Sequence, residues 1–209
     1  MELSSKLMQE AVDAFSKLPG IGKKTALRLV LYLMQKEDQD VKKFTDAITA
    51  LKEGIKFCER CHNISDSQLC SICSNPARDH SAICVVENLR DLIAIESTHQ
   101  YNGEYHVLGG VISPVEGIGP ENLNIESLLA KTESEEVAEI IMALNPTIEG
   151  DTTIYYLSKK IRERNEGLRI TTMARGISFG GELEYTDEVT IARPLATRTP
   201  YDNYLSKKD

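Results

Sequence analysis

Four cysteines stand as Cys58-x2-Cys61-x8-Cys70-x2-Cys73. Two C-x-x-C knuckles joined by a short loop bring four thiolates to one tetrahedral point, a soft and closed donor set that suits zinc. Paired as two disulfides, the same cysteines would need an oxidising compartment, and nothing at the start of the chain directs it to one. Four protein ligands leave no open coordination position, so the expected Zn2+ is structural. His62, beside Cys61, could substitute as a ligand. The fifth cysteine, Cys84, lies inside the apolar run AICVV and is expected to be a small buried hydrophobe.

A second chemistry-bearing stretch is LPGIGKKTALRLVLYL, residues 18–33. A turn of the form hydrophobic-Pro-Gly-Ile-Gly between two amphipathic helices lets the backbone approach a ligand closely, because Gly20 and Gly22 carry no side chain. The free N–H groups at the start of the second helix favour an anion, and Lys23, Lys24 and Arg28 flank that position. This is an arrangement for nucleic-acid phosphates, and contacts of that kind are sequence-independent and salt-sensitive. A plain αα-hairpin with solvated lysines would share the same residues.

Three acids form the third group. Glu87 follows the first strand-like run of the second half, and Glu149 and Asp151 lie in NPTIEGD after AEIIMAL. The carboxyl ends of parallel strands line the ligand crevice of such sheets, so these three could converge on a Mg2+ through oxygen ligands. Each is also an ordinary place for an acid, Asp151 as a helix cap and Glu149 just upstream of it. No Ser-His-Asp set, Cys-His nucleophile pair or P-loop is visible. The loop LGGVISPVEGIGP (108–120) is glycine-rich but names no ligand.

The elements that position these residues follow from periodicity. Residues 3–16 place Leu3, Leu7, Met8, Ala11, Val12, Ala14 and Phe15 at the spacings of three and four of an amphipathic helix, and Pro19 ends it. A second helix is expected from Gly22-Lys23 to Gln35, and a third from Val41 to Phe57 with Val41, Phe44, Ile48, Leu51 and Ile55 on one face. From Cys58 to Asp79 no periodicity survives, a length of loop that needs something to hold it, which the cysteines supply. From Ser81, short apolar runs at 82–86, 105–108, 138–144 and 168–172 alternate with helical stretches at 88–97, 124–132 and 150–164. That alternation indicates a mostly parallel sheet covered on both faces. A tail with Gly176, Gly180 and Gly181, a short helix near 186–197 and a frayed YDNYLSKKD end completes the chain.

The expected organisation is a multi-part α/β protein: a helical hairpin unit (1–56), a zinc element (57–79), an α/β domain (80–173) and a tail (174–209). Its 209 residues suffice to bury a core without disulfides. The longest apolar run, Leu29 to Met34, is six residues, far below the roughly 20 a membrane span needs. The start MELSSKLMQE has neither a basic n-region nor an apolar h-region, so a cytoplasmic location is expected, without membrane partners. The net charge of −8 argues against a surface that clings to nucleic acid throughout. Its distribution is uneven, however: residues 1–60 carry +2, residues 61–209 carry −10, and residues 14–36 hold five cations and no acid.

The order of parts and several long stretches together resemble the RecR family of bacterial recombination mediators. The stretches are LPGIGKKTALRL, CSICSNPARD (70–79), ICVVEN (83–88), HVLGGVISPVEGIGPENL (106–123), NPTIEGDTT (145–153) and ARGISFGGELEYTDEVTIARPL (174–195). The resemblance implies a Toprim fold for the α/β domain and a non-catalytic DNA-binding protein that forms dimers and tetrameric rings around DNA. It implies partnership with RecO and RecF in helping RecA load onto single-stranded DNA at gaps. By position, Lys24 and Arg28 match the family's basic hairpin residues, with Lys23 standing where many relatives have Pro. Cys58, Cys61, Cys70 and Cys73 match its zinc ligands, and Glu87, Glu149 and Asp151 match Toprim acids linked to RecO contact. Catalytic Toprim enzymes usually carry D-x-D where this chain has Glu149-x-Asp151, a departure that weighs against a Mg2+-dependent nuclease or phosphoryl transferase. A zinc scaffold that contacts only proteins is a third reading, against which the acid-free stretch 14–36 stands.

Overall fold

The computed structural model describes residues 4–177, 180, 182–198 and 200. The chain divides into two compact units, with the boundary between Lys56 and Phe57.

The first unit holds three helices, α1 (Lys6–Ser16), α2 (Lys23–Met34) and α3 (Asp38–Gly54). Ser5 caps α1 by accepting from the Met8 N–H, which satisfies one of the orphan donors of the first turn. Helices α1 and α2 pack through Val12, Ala26 and Val30, with Met8, Phe15 and Leu27 around them, so the periodic face of each is the face that is buried. Helix α3 contributes no buried residue, and Phe44, Ile48 and Leu51 on its apolar face are exposed.

From the boundary onwards, the two-residue strands β1 (Lys56–Phe57) and β2 (Ile64–Ser65) flank the first cysteine pair. Then follow β3 (Asp79–Val86), α4 (Leu89–Glu96), β4 (Gly103–Val107), α5 (Ile125–Lys131), β5 (Glu139–Ala143), α6 (Ile148–Arg164), β6 (Arg169–Thr172) and α7 (Glu188–Ala196). The sheet order is β4-β3-β5-β6 and every pairing is parallel, as the alternation of apolar runs and helices requires. One face of the sheet packs Ile83, Val85, Ile140 and Met142 against Leu128, Leu157 and Ile161 of α5 and α6.

The opposite face joins Cys84, Val86, Tyr105 and Val107 to Leu92 of α4 and to the four cysteines and Ile72. The zinc element is thus part of the α/β core. Cys84 is buried, and burial pushes its thiol up to about 12, the state of an inert packing residue. Leu3, Gly181 and residues 201–209, with the expected frayed end, lie outside the described residues.

Candidate zinc centre and nucleic-acid interface

The four cysteine sulfurs lie within 4.8 Å of one another and all four residues are buried. None forms a disulfide. A tetrahedron of Zn–S bonds near 2.3 Å has edges of about 3.8 Å. The Cys61 and Cys70 sulfurs are 3.5 Å apart, and the Cys70 backbone N–H donates to the Cys58 sulfur at 3.3 Å. A buried, unoxidised, all-thiol set with that spacing fits Zn2+. Interactions within the cluster, Cys73 foremost, hold the Cys61 thiol below its ordinary range, and Cys61 in turn pushes the Cys73 thiol up. Bound zinc would hold all four as thiolates.

The local backbone explains why the knuckles form. In each C-x-x-C turn the chain folds back on itself, with the His62 N–H donating to the Cys58 carbonyl at 2.9 Å and the Ser74 N–H to that of Cys70 at 3.0 Å. His62 has φ +61°, a left-handed conformation that disfavours a side chain by roughly 1–2 kcal/mol. Its ring is held in place: Nε2 is 2.7 Å from Ser127 Oγ on α5, and the ring meets His106 edge-on at 5.2 Å. His62 is therefore a packing and hydrogen-bonding residue, and the ligand set is the four sulfurs.

Three consecutive residues of the first knuckle grip the α/β domain. Arg60 Nε is 3.2 Å from Glu104 Oε2, the Cys61 carbonyl accepts from the Val107 N–H at 2.9 Å, and His62 reaches α5. Strand β4 carries two of the receiving groups, Glu104 and Val107, and the chain just beyond it holds Glu87: the Gly109 N–H donates to the Glu87 carbonyl at 2.9 Å.

In the helical unit, Gly20 has φ +79°, which only glycine adopts freely, and it turns the chain into α2. Gly22 caps α2 without a side-chain hydrogen bond, and no acid stands in the first turn. A Cβ at either glycine would meet nothing within 4 Å. Lys23, Lys24 and Arg28 are exposed and, among the described residues, none appears in an ion pair. The expected turn and cations are therefore together at one helix start.

The acids stand differently from the expectation. Glu87 follows β3, and Glu149 and Asp151 occupy the first turn of α6 after β5, so all three lie at the carboxyl ends of strands. Among the described residues, however, the four cysteines are the one set of three or more His, Cys, Asp or Glu side chains close enough to share an ion. Glu87 Oε2 accepts from Asn145 Nδ2 at 2.8 Å. Asp151 is gripped by the Arg175 guanidinium through two hydrogen bonds, one of them 3.1 Å. Glu149 is exposed. Hydrogen-bond donors of the chain thus engage two of the three carboxylates, Glu87 through Asn145 and Asp151 through Arg175. Nor does Asp151 cap α6; Thr147 does, accepting from the Gly150 N–H at 3.0 Å.

Comparison with known proteins agrees with this layout. Residues 8–52 match the RecR helix-hairpin-helix family, 55–75 the RecR four-cysteine zinc finger domain, 81–174 the Toprim domain and 176–198 the RecR C-terminal region. A recombination protein RecR of Flavobacterium johnsoniae is 54% identical over 202 residues, covering 97% of each chain. The chain belongs to the RecR family. The RecR of Porphyromonas gingivalis is 51% identical over 199 residues, 95% of each chain. That of Bacteroides thetaiotaomicron is 52% identical over 195 residues, 93% of this chain and 94% of the relative.

As a RecR-family chain it is a recombination and repair protein with a structural zinc site in its four-cysteine element. No helix among the described residues is long and apolar enough to cross a membrane. Arg175, Asn145, Arg60 and Glu104, which shape these sites, belong to no motif in the sequence. Glu104 had a usable signal: an acid beside an apolar strand demands a partner once buried.

Proposed function

We propose that this RecR-family chain is a non-catalytic, cytoplasmic DNA clamp that assembles into a dimer or tetrameric ring. It engages phosphates through Gly20, Gly22, Lys23, Lys24 and Arg28 and works with RecO and RecF to help RecA load onto single-stranded DNA at gaps. The observation that carries the reading is the start of α2, where an uncapped helix end, two open glycines and three exposed cations coincide. Main-chain N–H groups and dipole favour a phosphate there, and the cations add counter-ion release. The exposed apolar face of α3 supports self-association.

The bidentate Arg175–Asp151 pair supports the non-catalytic reading, since it gives one Toprim acid a cation from its own chain. Glu87, Glu149 and Asp151 then serve as a face for a protein partner, RecO in the first instance.

The test is the double variant Lys24→Ala/Arg28→Ala against single-stranded, duplex and gapped DNA over a salt series. Affinity should fall similarly on all sequences, and the slope of log K against log salt should lose about two phosphate contacts. Unchanged binding would place the DNA site elsewhere. Incubation of the wild type with labelled DNA and Mg2+ or Mn2+ should leave the DNA intact; cleavage abolished by Glu87→Gln would establish an enzyme instead.

A further inference from the structure

Helix α6 buries Thr153, Leu157 and Ile161 against the sheet, so the stripe on its other side, Ile148, Thr152, Tyr155, Lys159 and Arg162, is exposed. A solvated helix face needs only polar groups, yet Tyr155 is 74% exposed on this one. Its ring stands in an open groove that Ser158, Lys159, Arg162 and Glu163 also line.

The charges around that ring are unevenly committed. Lys160 holds Glu163, the acid of the groove, at 2.9 Å, and Arg164 holds Glu126 at 2.9 Å and Glu133 at 3.0 Å. Arg169 on β6 lies 3.6 Å from Glu139. Lys159 and Arg162 enter no ion pair among the described residues. A rise of 1.5 Å per residue places them about 6 Å and about 10 Å beyond Tyr155 along the helix, on the same face.

An exposed ring followed by two unpaired cations suits a ligand that offers a flat base and a phosphate backbone together. The α2 hairpin supplies only the second kind of contact, since residues 16–31 contain no Phe, Tyr, Trp or His. The other exposed tyrosines among the described residues are differently placed. Tyr32 has Lys36 over its ring at 4.6 Å, and Tyr185 stands among Glu182, Glu184, Asp187 and Glu188. Tyr155 is the one that joins an open ring to cations without partners.

We propose that the outer face of α6 is a second nucleic-acid contact, selective for single strands, in which Tyr155 stacks an unpaired base and Lys159 and Arg162 take the neighbouring phosphates. The proposal rests on the reading of the chain as a DNA binder and adds a means of telling single strands from duplex. Bases within a duplex are stacked on one another and closed to a side chain, whereas a single strand can lay one on the ring.

The test is a fluorescence-anisotropy titration of the full chain over a salt series with oligothymidine, a blunt duplex and an abasic strand of equal length. Tyr155→Ala should bind oligothymidine at least about fivefold more weakly and the duplex as wild type does, while Tyr155→Phe should match wild type throughout. The abasic strand, which has phosphates without bases, should bind wild type and Tyr155→Ala equally. Lys159→Ala/Arg162→Ala should lower the slope of log K against log salt on single strands by about 1.4, the share of two phosphates. If Tyr155→Ala proves unstable in urea, Tyr155→Gln is measured in its place and must show the same loss.

Wild-type affinity of Tyr155→Ala for oligothymidine would overturn the proposal, as would an equal loss in Tyr155→Phe or on the duplex. So would a double variant that keeps its DNA affinity and loses binding to a polyglutamate peptide, which would mark a site for an acidic protein segment. Lys24→Ala/Arg28→Ala runs in the same series. Loss there with full affinity in the α6 variants would refute the α6 site alone, and the reverse pattern would refute the hairpin site alone.

Discussion

Arg60, inside the first zinc knuckle, holds the buried carboxylate of Glu104 on β4 at 3.2 Å. The pair fastens the metal element to the sheet, and its two ends are unequal: the carboxylate is 1% exposed and the guanidinium 39%. Removal of the arginine leaves the buried carboxylate with His80 Nδ1, 2.5 Å away, as its remaining side-chain partner, whereas removal of the acid leaves basic groups that water can reach. Arg60→Met should therefore cost about 2 kcal/mol in urea unfolding, and Glu104→Gln less. A larger loss in Glu104→Gln would show that the ion pair itself, and not desolvation of the acid, dominates.

His106 gives a pH dependence with a definite sign. Burial first, then the charge of Lys131, pulls its pKa from 6.5 to about 3. The folded chain keeps the ring neutral where the unfolded chain protonates it, so the contribution is fully present above pH 6.5 and drains away as pH falls towards 3. The difference in unfolding free energy between wild type and His106→Gln should shift against the wild type as pH drops through that window. A difference independent of pH would show that the ring stays protonated or exposed.

The two hairpin glycines make separable predictions. Gly22 has φ −81° and open space around it, so Gly22→Ala should leave thermal stability nearly unchanged. Gly20 has φ +79°, so Gly20→Ala should cost about 1 kcal/mol. If phosphates approach the main chain here, Gly22→Ala weakens DNA binding at constant stability, which titration and calorimetry on one preparation would reveal. Full affinity in that variant would restrict the interface to the cation side chains.

Gly150, between the two acids of α6, tolerates no larger residue for a packing reason. A Cβ there would clash with the backbone carbonyl of Asn145, which a side-chain shift cannot relieve. Gly150→Ala should cost about 1–3 kcal/mol and disturb the turn that presents Asn145 to Glu87. A neutral outcome by urea unfolding would mean that the turn relaxes freely.

The sequence by itself determined what is local or set by repeating pattern. The C-x2-C spacing fixed the zinc ligands, because four thiols at two knuckles have one common solution in a reduced chain. Apolar runs alternating with helical periods indicated a parallel sheet, because parallel neighbours need a crossover of a dozen or more residues, which each helical stretch supplies. The Pro and glycines of residues 18–22 fixed the hairpin turn, because φ restrictions act on adjacent residues.

The tertiary structure decided who meets whom across long separations. Arg60 with Glu104, His62 with Ser127, Lys131 with His106 and Arg175 with Asp151 join residues 24 to 65 positions apart. Partner choice at such distance depends on strand order and register, which no local pattern encodes. The three acids show the consequence. Their placement at strand ends was legible in the sequence, but that Asn145 engages Glu87 and Arg175 engages Asp151 became visible only once the chain was folded.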